Sequence, residues 1–284
     1  MRSGKWDVRI ARARNLAAKF PSASQGLQFY EHVAKFQKSL YAEIESKCGT
    51  AQVAREPGTL RKELDLFILL PRFGAFLGAM GTSSPLPLRD AAAELQSGGG
   101  TMWQEVLTQF WQAGNELDAG AGAGPRADSK SNSTSELETL FAWIFLQPYA
   151  EYLADYTVHP PIHETPPICP LCSSKPLVGV LRPEGDGGKR SLICSLCATE
   201  WNYRRLVCPG CGEEDVHKLA VYSATEIPSV RVEACDTCRA YIKTVDMTKD
   251  GNAVPVVDEL ATIPLNLWAQ EHSYTKIRSN LLGI

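Results

Sequence analysis

The chain has 284 residues, of which 44% are hydrophobic and 21% charged, and its formal net charge is -3. This composition indicates a soluble globular protein of one to three domains. The small charge excludes a global electrostatic attraction to nucleic acid or to an anionic membrane, so either partner would need a local basic patch.

Neither the beginning of the chain nor its most apolar stretch predicts export or membrane insertion. The first twenty residues contain no apolar core of a secretory signal and no twin-arginine pair. The most apolar stretch, residues 64–80, is interrupted by charged residues, Pro and Gly, so it is too short to span a bilayer. We therefore expect a cytoplasmic protein without membrane insertion.

Residues 1–160 are predicted to form an all-α domain, because apolar residues recur there at steps of three and four. The predicted helices cover residues 25–47, 60–70 and 86–95, a segment around residues 103–111, and residues 134–149. The second helix is expected to end before Pro71, because a proline disfavours helical geometry in the residue that precedes it. Residues 118–133 are rich in Gly, Ala and Ser and predict a flexible loop.

A proline-rich connection at residues 159–168 separates this half from a region of short β-rich runs broken by Gly and Pro. The change of texture predicts a domain boundary near residue 160. His159 and His163 lie in the connection, and a role as an additional metal ligand or as a catalytic group is the less favoured interpretation of either.

Eight of the nine cysteines form four Cys-x-x-Cys pairs in the second half. The pairs are Cys169/Cys172, Cys194/Cys197, Cys208/Cys211 and Cys235/Cys238. In the reducing cytoplasm such pairs predict metal ligands rather than disulfides, and eight sulfurs suffice for two tetrahedral sites. The ninth, Cys48, is predicted to be a small buried residue.

The sequence between the pairs predicts which of them combine. A strand, a turn and a returning strand separate the first two pairs, and the same plan recurs between the last two. The first pairs of the two repeats are offset by 39 residues and the second pairs by 41. We therefore assign the first two pairs to one site and the last two to another, with a crossed arrangement left open.

Four sulfur ligands leave a metal ion no open position for water or substrate, so hydrolytic catalysis at these sites is not expected. Structural zinc and a rubredoxin-like single iron both fit tetrahedral sulfur. A zinc-ribbon nucleic-acid binder is a third class, but residues 168–245 hold ten Lys and Arg against nine Asp and Glu. Lys189, Arg190, Arg204 and Arg205 could form a small basic face. Only Cys211 is followed by the glycine common after such turns.

With this layout in hand, the chain resembles the formate dehydrogenase accessory proteins, the FdhE family. The resemblance covers nearly the whole chain and is most specific in the four ordered pairs, in CSLCATEW at residues 194–201 and in DELATIPLNLWAQEHSYTKIRSNLLGI at residues 258–284. In the helical half it is carried by residues 27–37 and 146–148.

The resemblance implies an α+β protein: an N-terminal all-α domain, two rubredoxin-like or zinc-ribbon-like β modules, and a C-terminal helical tail. We predict domains at residues 1–160, 161–206, 207–250 and 251–284. The implied function is a cytoplasmic, non-enzymatic maturation factor or chaperone that binds the catalytic subunit of formate dehydrogenase, with iron favoured over zinc and a homodimer left open. A rubredoxin-like electron carrier and a nucleic-acid-binding protein are the alternatives.

The tail is predicted to form an amphipathic helix over residues 256–272, bent near Pro264, that docks on the body of the protein. The side chains expected to dock are Leu260, Ile263, Leu267 and Trp268. A role of the tail as a partner surface is the alternative. Asp258 and Glu259 are expected to complement the helix dipole or to pair with a basic partner.

Overall fold

The computed structural model describes residues 2–84, 86–114, 131–159, 165–184, 187–281 and 283. Its N-terminal half consists of helices joined by short connections. The helices are α1 (Gly4–Lys19), α2 (Ser24–Cys48), α3 (Leu66–Ser83), α4 (Leu86–Ala113) and α5 (Ser131–Asp155), and two short parallel strands, β1 (Val53–Ala54) and β2 (Thr157–Val158), pair beside them. None of the described helices combines the length and the apolar character needed to cross a bilayer.

The aromatic core of this half gathers around α5, which is apolar on most of its circumference, as expected of a helix surrounded by others. Phe145 lies at its centre, with ring centroids 4.8 Å from Phe73 and 5.4 Å from Phe76. All three side chains are fully buried. Burial of each contributes about 1.5–3 kcal/mol, so the packing of α3 against α5 is a main source of stability in this half.

The prediction of a helix over residues 60–70 was wrong, because α3 begins at Leu66 and passes through Pro71. Its N-terminus is fixed by the Asp65 carboxylate, which accepts a hydrogen bond of 3.2 Å from the backbone N–H of Ile68. An interior proline costs about 3 kcal/mol. Apolar burial beyond the proline offsets that cost. The buried side chains are Phe73, Phe76, Leu77 and Met80.

The other helix predictions fared better. Helix α2 confirms the stripe over residues 25–47, and α4 contains both of the next two predicted segments, separated by a break at Gly99, whose φ is 70°. Helix α5 begins at Ser131, before the predicted start, so residues 131–133 of the predicted loop are helical, and residues 118–130 of that loop lie outside the described residues. Helix α1 was not predicted, although its buried residues follow helical spacing. They are Trp6, Ile10, Ala13 and Leu16.

The C-terminal half is one continuous sheet with two helices. The strands are β3 (Pro176–Glu184), β4 (Gly187–Cys194), β5 (Glu200–Asn202), β6 (Leu219–Ala224), β7 (Ile227–Cys235), β8 (Ala240–Asp246) and β9 (Thr275–Lys276), and the helices are α6 (Pro255–Ala261) and α7 (Ile263–Glu271). The strand order is β5-β4-β3-β8-β7-β6, and β9 also pairs with β8. Each repeat is an antiparallel three-stranded unit, as the sequence plan predicted, and the two units lie side by side in the sheet.

The two repeats join through a parallel pairing of β3 with β8, which the sequence did not predict. Gly179 faces Thr244 at this junction, and a Cβ atom on Gly179 would lie 2.3 Å from the Thr244 hydroxyl. The close approach requires glycine at this position. The fold as a whole confirms the predicted class: a helical N-terminal region, a β-rich region with two groups of four cysteines, and C-terminal helices.

The tail forms two helices rather than one bent helix, because the chain breaks at Thr262, directly before α7. Leu260 is buried as predicted, and the ring of Trp268 lies 4.3 Å from that of Tyr222. Leu267 is 52% exposed, so its predicted docking was wrong. The tail thus covers the sheet through α6 and one side of α7.

The two acidic residues at the start of the tail are buried in ion pairs within the protein. Asp258 accepts two hydrogen bonds from Arg12 of α1, at 2.5 and 3.0 Å. Glu259 pairs with Lys243 of β8 at 2.9 Å and with Lys276 of β9. Asp258 lies in the first turn of α6, where its carboxylate also accepts a hydrogen bond of 2.7 Å from the Val254 N–H, so its expected place at the helix start is confirmed. Both carboxylates pair within the protein rather than with an external partner, and these ion pairs tie the tail to both halves.

Candidate metal centres

The structure gathers the eight paired cysteines into two groups of four, and within each group the sulfur atoms lie within 4.8 Å of one another. The β3–β4 hairpin brings the first two pairs together, and the β6–β7 hairpin brings the last two together. This confirms the predicted pairing, and the crossed arrangement was wrong. Among the described residues, no His or carboxylate belongs to either group, and His163 lies outside them.

The sulfur spacing fits a metal ion better than a disulfide. In the second group the Sγ atoms of Cys208 and Cys238 are 3.7 Å apart, as are those of Cys211 and Cys235. A tetrahedron with metal–sulfur bonds of about 2.3 Å places its sulfurs about 3.8 Å apart, whereas a disulfide needs about 2.05 Å. In the first group the corresponding distances are 3.5 and 3.3 Å, slightly tighter but still far from a covalent bond.

The turns that carry the cysteines share one backbone geometry. The N–H of Ser173 donates to the Cys169 carbonyl at 2.9 Å, and the N–H of Gly212 donates to the Cys208 carbonyl at the same distance. The residue after the second cysteine has a positive φ in all four turns. These residues are Ser173 (59°), Ala198 (53°), Gly212 (79°) and Arg239 (57°). Where the residue is not glycine the conformation costs about 1–2 kcal/mol, which closure of the sulfur group must offset.

Backbone N–H groups in these turns point at sulfur. The N–H of Leu196 lies 3.3 Å from Cys194 Sγ, and that of Gly210 lies 3.2 Å from Cys208 Sγ. Burial raises the pKa of the Cys194 and Cys197 thiols. A group of four sulfurs therefore becomes fully ionised only when a cation neutralises the thiolates.

The first group is enclosed by the helical half. Its four cysteines are at most 3% exposed. The backbone N–H groups of Gly58 and Leu60 donate to the carbonyls of Pro170 and Leu171, at 2.8 and 3.1 Å. On the opposite side, side chains of α5 reach the second turn, where the Ser195 carbonyl accepts hydrogen bonds from Trp143 and Gln147 at 3.1 and 2.9 Å.

The second group touches the tail instead, and two of its cysteines, Cys211 and Cys238, reach the surface. The Arg239 guanidinium lies 4.0 Å from the centre of the Tyr274 ring. The Tyr274 hydroxyl donates to Asp236 at 2.6 Å. Several contacts thus hold the last turn against the tail, but the described helical half contributes none of the hydrogen bonds to its backbone.

The residue before the second cysteine of each pair indicates this difference in the sequence. In the first group these residues are Leu171 and Leu196, which are 4% and 1% exposed and belong to the core of the helical half. In the second group they are Gly210 and Thr237, both exposed. The prediction for Cys48 was also wrong, because this cysteine is exposed at the end of α2.

The fold and the sulfur groups together define a class of protein: a helical domain joined to a duplicated four-cysteine β module. Two family models match the β-rich half, "FdhE, central domain" at residues 168–205 and "FdhE, C-terminal domain" at residues 206–282. In this half the chain is similar to proteins of the FdhE family.

Individual relatives extend this similarity to the helical half. The chain is 27% identical over 281 residues to a protein FdhE homolog from Aquifex aeolicus, covering 94% of this chain and 92% of that protein. A homolog from Haemophilus influenzae is 32% identical over 51% of this chain and 49% of its own length. The crystal structure of the FdhE protein from Pseudomonas aeruginosa has a TM-score of 0.70 at 25% identity, covering 99% of this chain and 95% of that one.

Proposed function

We propose that this protein is a cytoplasmic accessory protein required for active respiratory formate dehydrogenase and that it binds the catalytic subunit of that enzyme. Similarity to the FdhE family supports the link to formate dehydrogenase. The observation that carries the molecular part is the pair of closed four-sulfur groups. Because four sulfurs leave a metal ion without an open position, we propose that the protein is not itself an enzyme.

The proposed ligands are the eight cysteines of the two groups. One set is Cys169, Cys172, Cys194 and Cys197, and the other is Cys208, Cys211, Cys235 and Cys238. Bound iron would supply one-electron redox chemistry and bound zinc would only stabilise the fold. The family resemblance favours iron. We also keep the four predicted domains as a proposal, with the first boundary near residue 160.

Co-purification tests the partner. Tagged protein would be co-expressed with a respiratory formate dehydrogenase catalytic subunit and purified without oxygen, beside an untagged control. We expect the catalytic subunit on the tagged protein alone. A chain that retains none of it, while folded and loaded with metal, would end the binding proposal. Metal analysis of the same preparation tests the sulfur sites separately, since two equivalents of iron or zinc are expected.

A rubredoxin-like electron carrier is a second candidate, and the surface position of Cys211 and Cys238 favours it. It predicts a visible absorbance that bleaches on reduction and returns on oxidation, and a colourless zinc protein would exclude it.

We do not propose a nucleic-acid partner, because two of the four basic residues considered for that role are engaged with carboxylates. Arg190 is buried and pairs with Glu233 at 2.7 Å, and Arg204 pairs with Glu214 at 2.6 Å.

A further inference from the structure

The two sulfur groups follow the same turn geometry but offer different access to an incoming molecule. In the first group every cysteine is buried, and leucines precede the second cysteine of both pairs. In the second group Cys208 and Cys235 are buried, while Cys211 and Cys238 reach the surface. Access to the second group is therefore possible without opening the fold. Cys197 of the first group lines a cavity beside α1 and α5, but it is only 3% exposed, so access to the first group requires local opening around the cysteines.

A groove of about 180 Å³ runs beside the second group. Its wall includes Cys208 and Cys235 together with Leu206 and Val221, which are 58% and 55% exposed. Strand β6, which carries Val221, is the last strand of the sheet on this side, so one of its edges is unpaired within the described residues. An external donor group thus has an open approach to this end of the module.

We propose that the second group is an exchange site, which takes up and gives up its metal ion while the protein stays folded, and that the first group holds its ion permanently as part of the core. The proposal rests on the metal binding proposed above and assigns the two sites different roles. The exchanging partner is a molecule that presents a soft donor, a thiolate or an imidazole, because such donors compete with cysteine for zinc or iron.

The exchange is a ligand substitution without electron transfer. A bond forms between the incoming donor and the ion, and the bond to the Cys211 or Cys238 sulfur breaks. The freed thiolate takes up a proton from water, and a second substitution follows at the other exposed cysteine. Cys208 and Cys235 are released after the two surface cysteines, because an incoming donor reaches their buried side chains only through the groove. The reverse sequence loads the site.

A chelator challenge with site-resolved alkylation tests the proposal on the full-length protein. Zinc-loaded protein is mixed with the chromogenic chelator 4-(2-pyridylazo)resorcinol, and samples are quenched with N-ethylmaleimide over time. Trypsin separates the four pairs for mass spectrometry, because it cleaves at intervening basic residues. These are Arg190, Arg205 and Lys218. Cys48, which belongs to neither group and is exposed, serves as an internal reference for alkylation outside the metal sites.

We expect zinc release in two phases of one equivalent each, differing by about tenfold or more, because only the first group requires local opening before a chelator reaches it. Peptides carrying Cys211 and Cys238 should be modified in the fast phase, and those carrying Cys172 and Cys194 in the slow phase. Equal rates at the two groups, or earlier modification of the first group, would overturn the division of roles.

Matched variants give a second readout. Cys172 and Cys211 occupy the same position in the two repeats. Cys211→Ser should abolish the fast phase and leave one slowly released equivalent in a protein with unchanged far-ultraviolet circular dichroism. Cys172→Ser should lose the slowly released equivalent instead. If Cys172→Ser does not fold, the alkylation order in the wild-type protein still decides. A folded wild-type protein that binds no zinc or iron would refute the proposed metal sites themselves.

Discussion

The two four-cysteine modules of this protein share a backbone plan and differ in what holds them. The first is bonded by backbone and side-chain groups of the helical half, through Gly58 and Leu60 on one turn and α5 on the other. The second is bonded by the tail, where the N–H of Thr275 donates to the Arg239 carbonyl at 2.8 Å. The two modules thus share the geometry of their sulfur ligands, while the surrounding residues determine whether a site is part of a core.

Charged groups also distinguish the attachment of the tail to the second module from the attachment of the first module to the helical half. The tail is fixed to the second module by a cluster of four buried polar residues, none of them more than 5% exposed. They are Lys243, Glu259, Lys276 and Asn280. Lys243 Nζ donates to the Glu259 and Thr262 carbonyls at 2.6 and 3.3 Å, so it also satisfies the end of α6. Such a cluster tolerates loss of a partner poorly, because an uncompensated buried charge remains.

The largest effect is expected from substitution of a buried cysteine that occupies the same position in the two repeats. Cys194 and Cys235 are 2% and 1% exposed. Substitution of either by Ser should lose one metal equivalent. At the first group, which is proposed to be part of the core, a structural site contributes an apparent binding energy of about 10–16 kcal/mol, comparable to the whole stability of a domain. We expect Cys194→Ser to release the helical half from the sheet, and Cys235→Ser to release only the tail.

Hydrogen exchange at single amides measures this difference. The Gly58 and Leu60 amides, which bond to the first module, should lose protection in Cys194→Ser and keep it in Cys235→Ser. The Thr275 amide, which bonds to the second module, should behave in the opposite way. Loss of protection at all three amides in both variants would show that the modules unfold as one unit and would remove the distinction drawn between them.

The second largest effect is expected where Glu259 attaches the tail to the second module. Glu259→Gln leaves Lys243 and Lys276 buried without a countercharge. Burial already lowers the pKa of Lys243 to about 7, so the lysines must stay charged without a partner or give up a proton, and we expect a loss of about 3–5 kcal/mol in the free energy of unfolding. Lys276→Met is the control, because it leaves a balanced Lys243–Glu259 pair and should cost about 1 kcal/mol or less. Urea titrations of both variants check the order, and a Lys276→Met protein as unstable as Glu259→Gln would contradict this explanation.

The same cluster predicts an acid-dependent loss of stability. Burial opposes ionisation of Glu259, but the charges of Lys243 and Lys276 outweigh it and lower its pKa from 4.5 to about 2. A carboxyl with a depressed pKa in the folded state contributes stability above pH 4.5, and this contribution is lost as pH falls toward 2. The shift corresponds to about 3 kcal/mol.

Urea titrations at several pH values check this prediction. The free energies of unfolding of the wild-type protein and of Glu259→Gln should differ most above pH 4.5 and converge near pH 2, because protonation then makes the two side chains alike in charge. A difference that stays constant from pH 6 to pH 2 would assign the effect of Glu259→Gln to packing rather than to charge.

The parts of this molecule that follow from short-range spacing were predictable, and those that depend on distant partners were not. The two cysteine groups were predicted because each hairpin joins neighbouring pairs along the chain. The Gly179–Thr244 junction and the Lys243–Glu259 pair were missed, since neither residue of a contact reveals its partner locally. The path of α3 through Pro71 was missed because tertiary burial outweighed a local rule. The exposure of the second group could have been predicted from Gly210 and Thr237, the residues that precede the second cysteine of each of its pairs.

The smallest expected effect concerns the strained turns and compares the modules directly. Ala198 of the first module and Gly212 of the second both follow a second cysteine, with φ of 53° and 79°. Ala198→Gly should raise the free energy of unfolding by about 0.5–1 kcal/mol, since relief of left-handed strain exceeds the added entropy of the unfolded chain. Gly212→Ala should lower it by about 1 kcal/mol from backbone strain alone, because a Cβ there meets no atom within 4 Å.

Chemical denaturation of the metal-loaded proteins measures both changes. Opposite signs of similar size would show that the turns bear the same strain in the buried and in the exposed module, whereas a loss on Ala198→Gly would mean that packing around the first group depends on that methyl group.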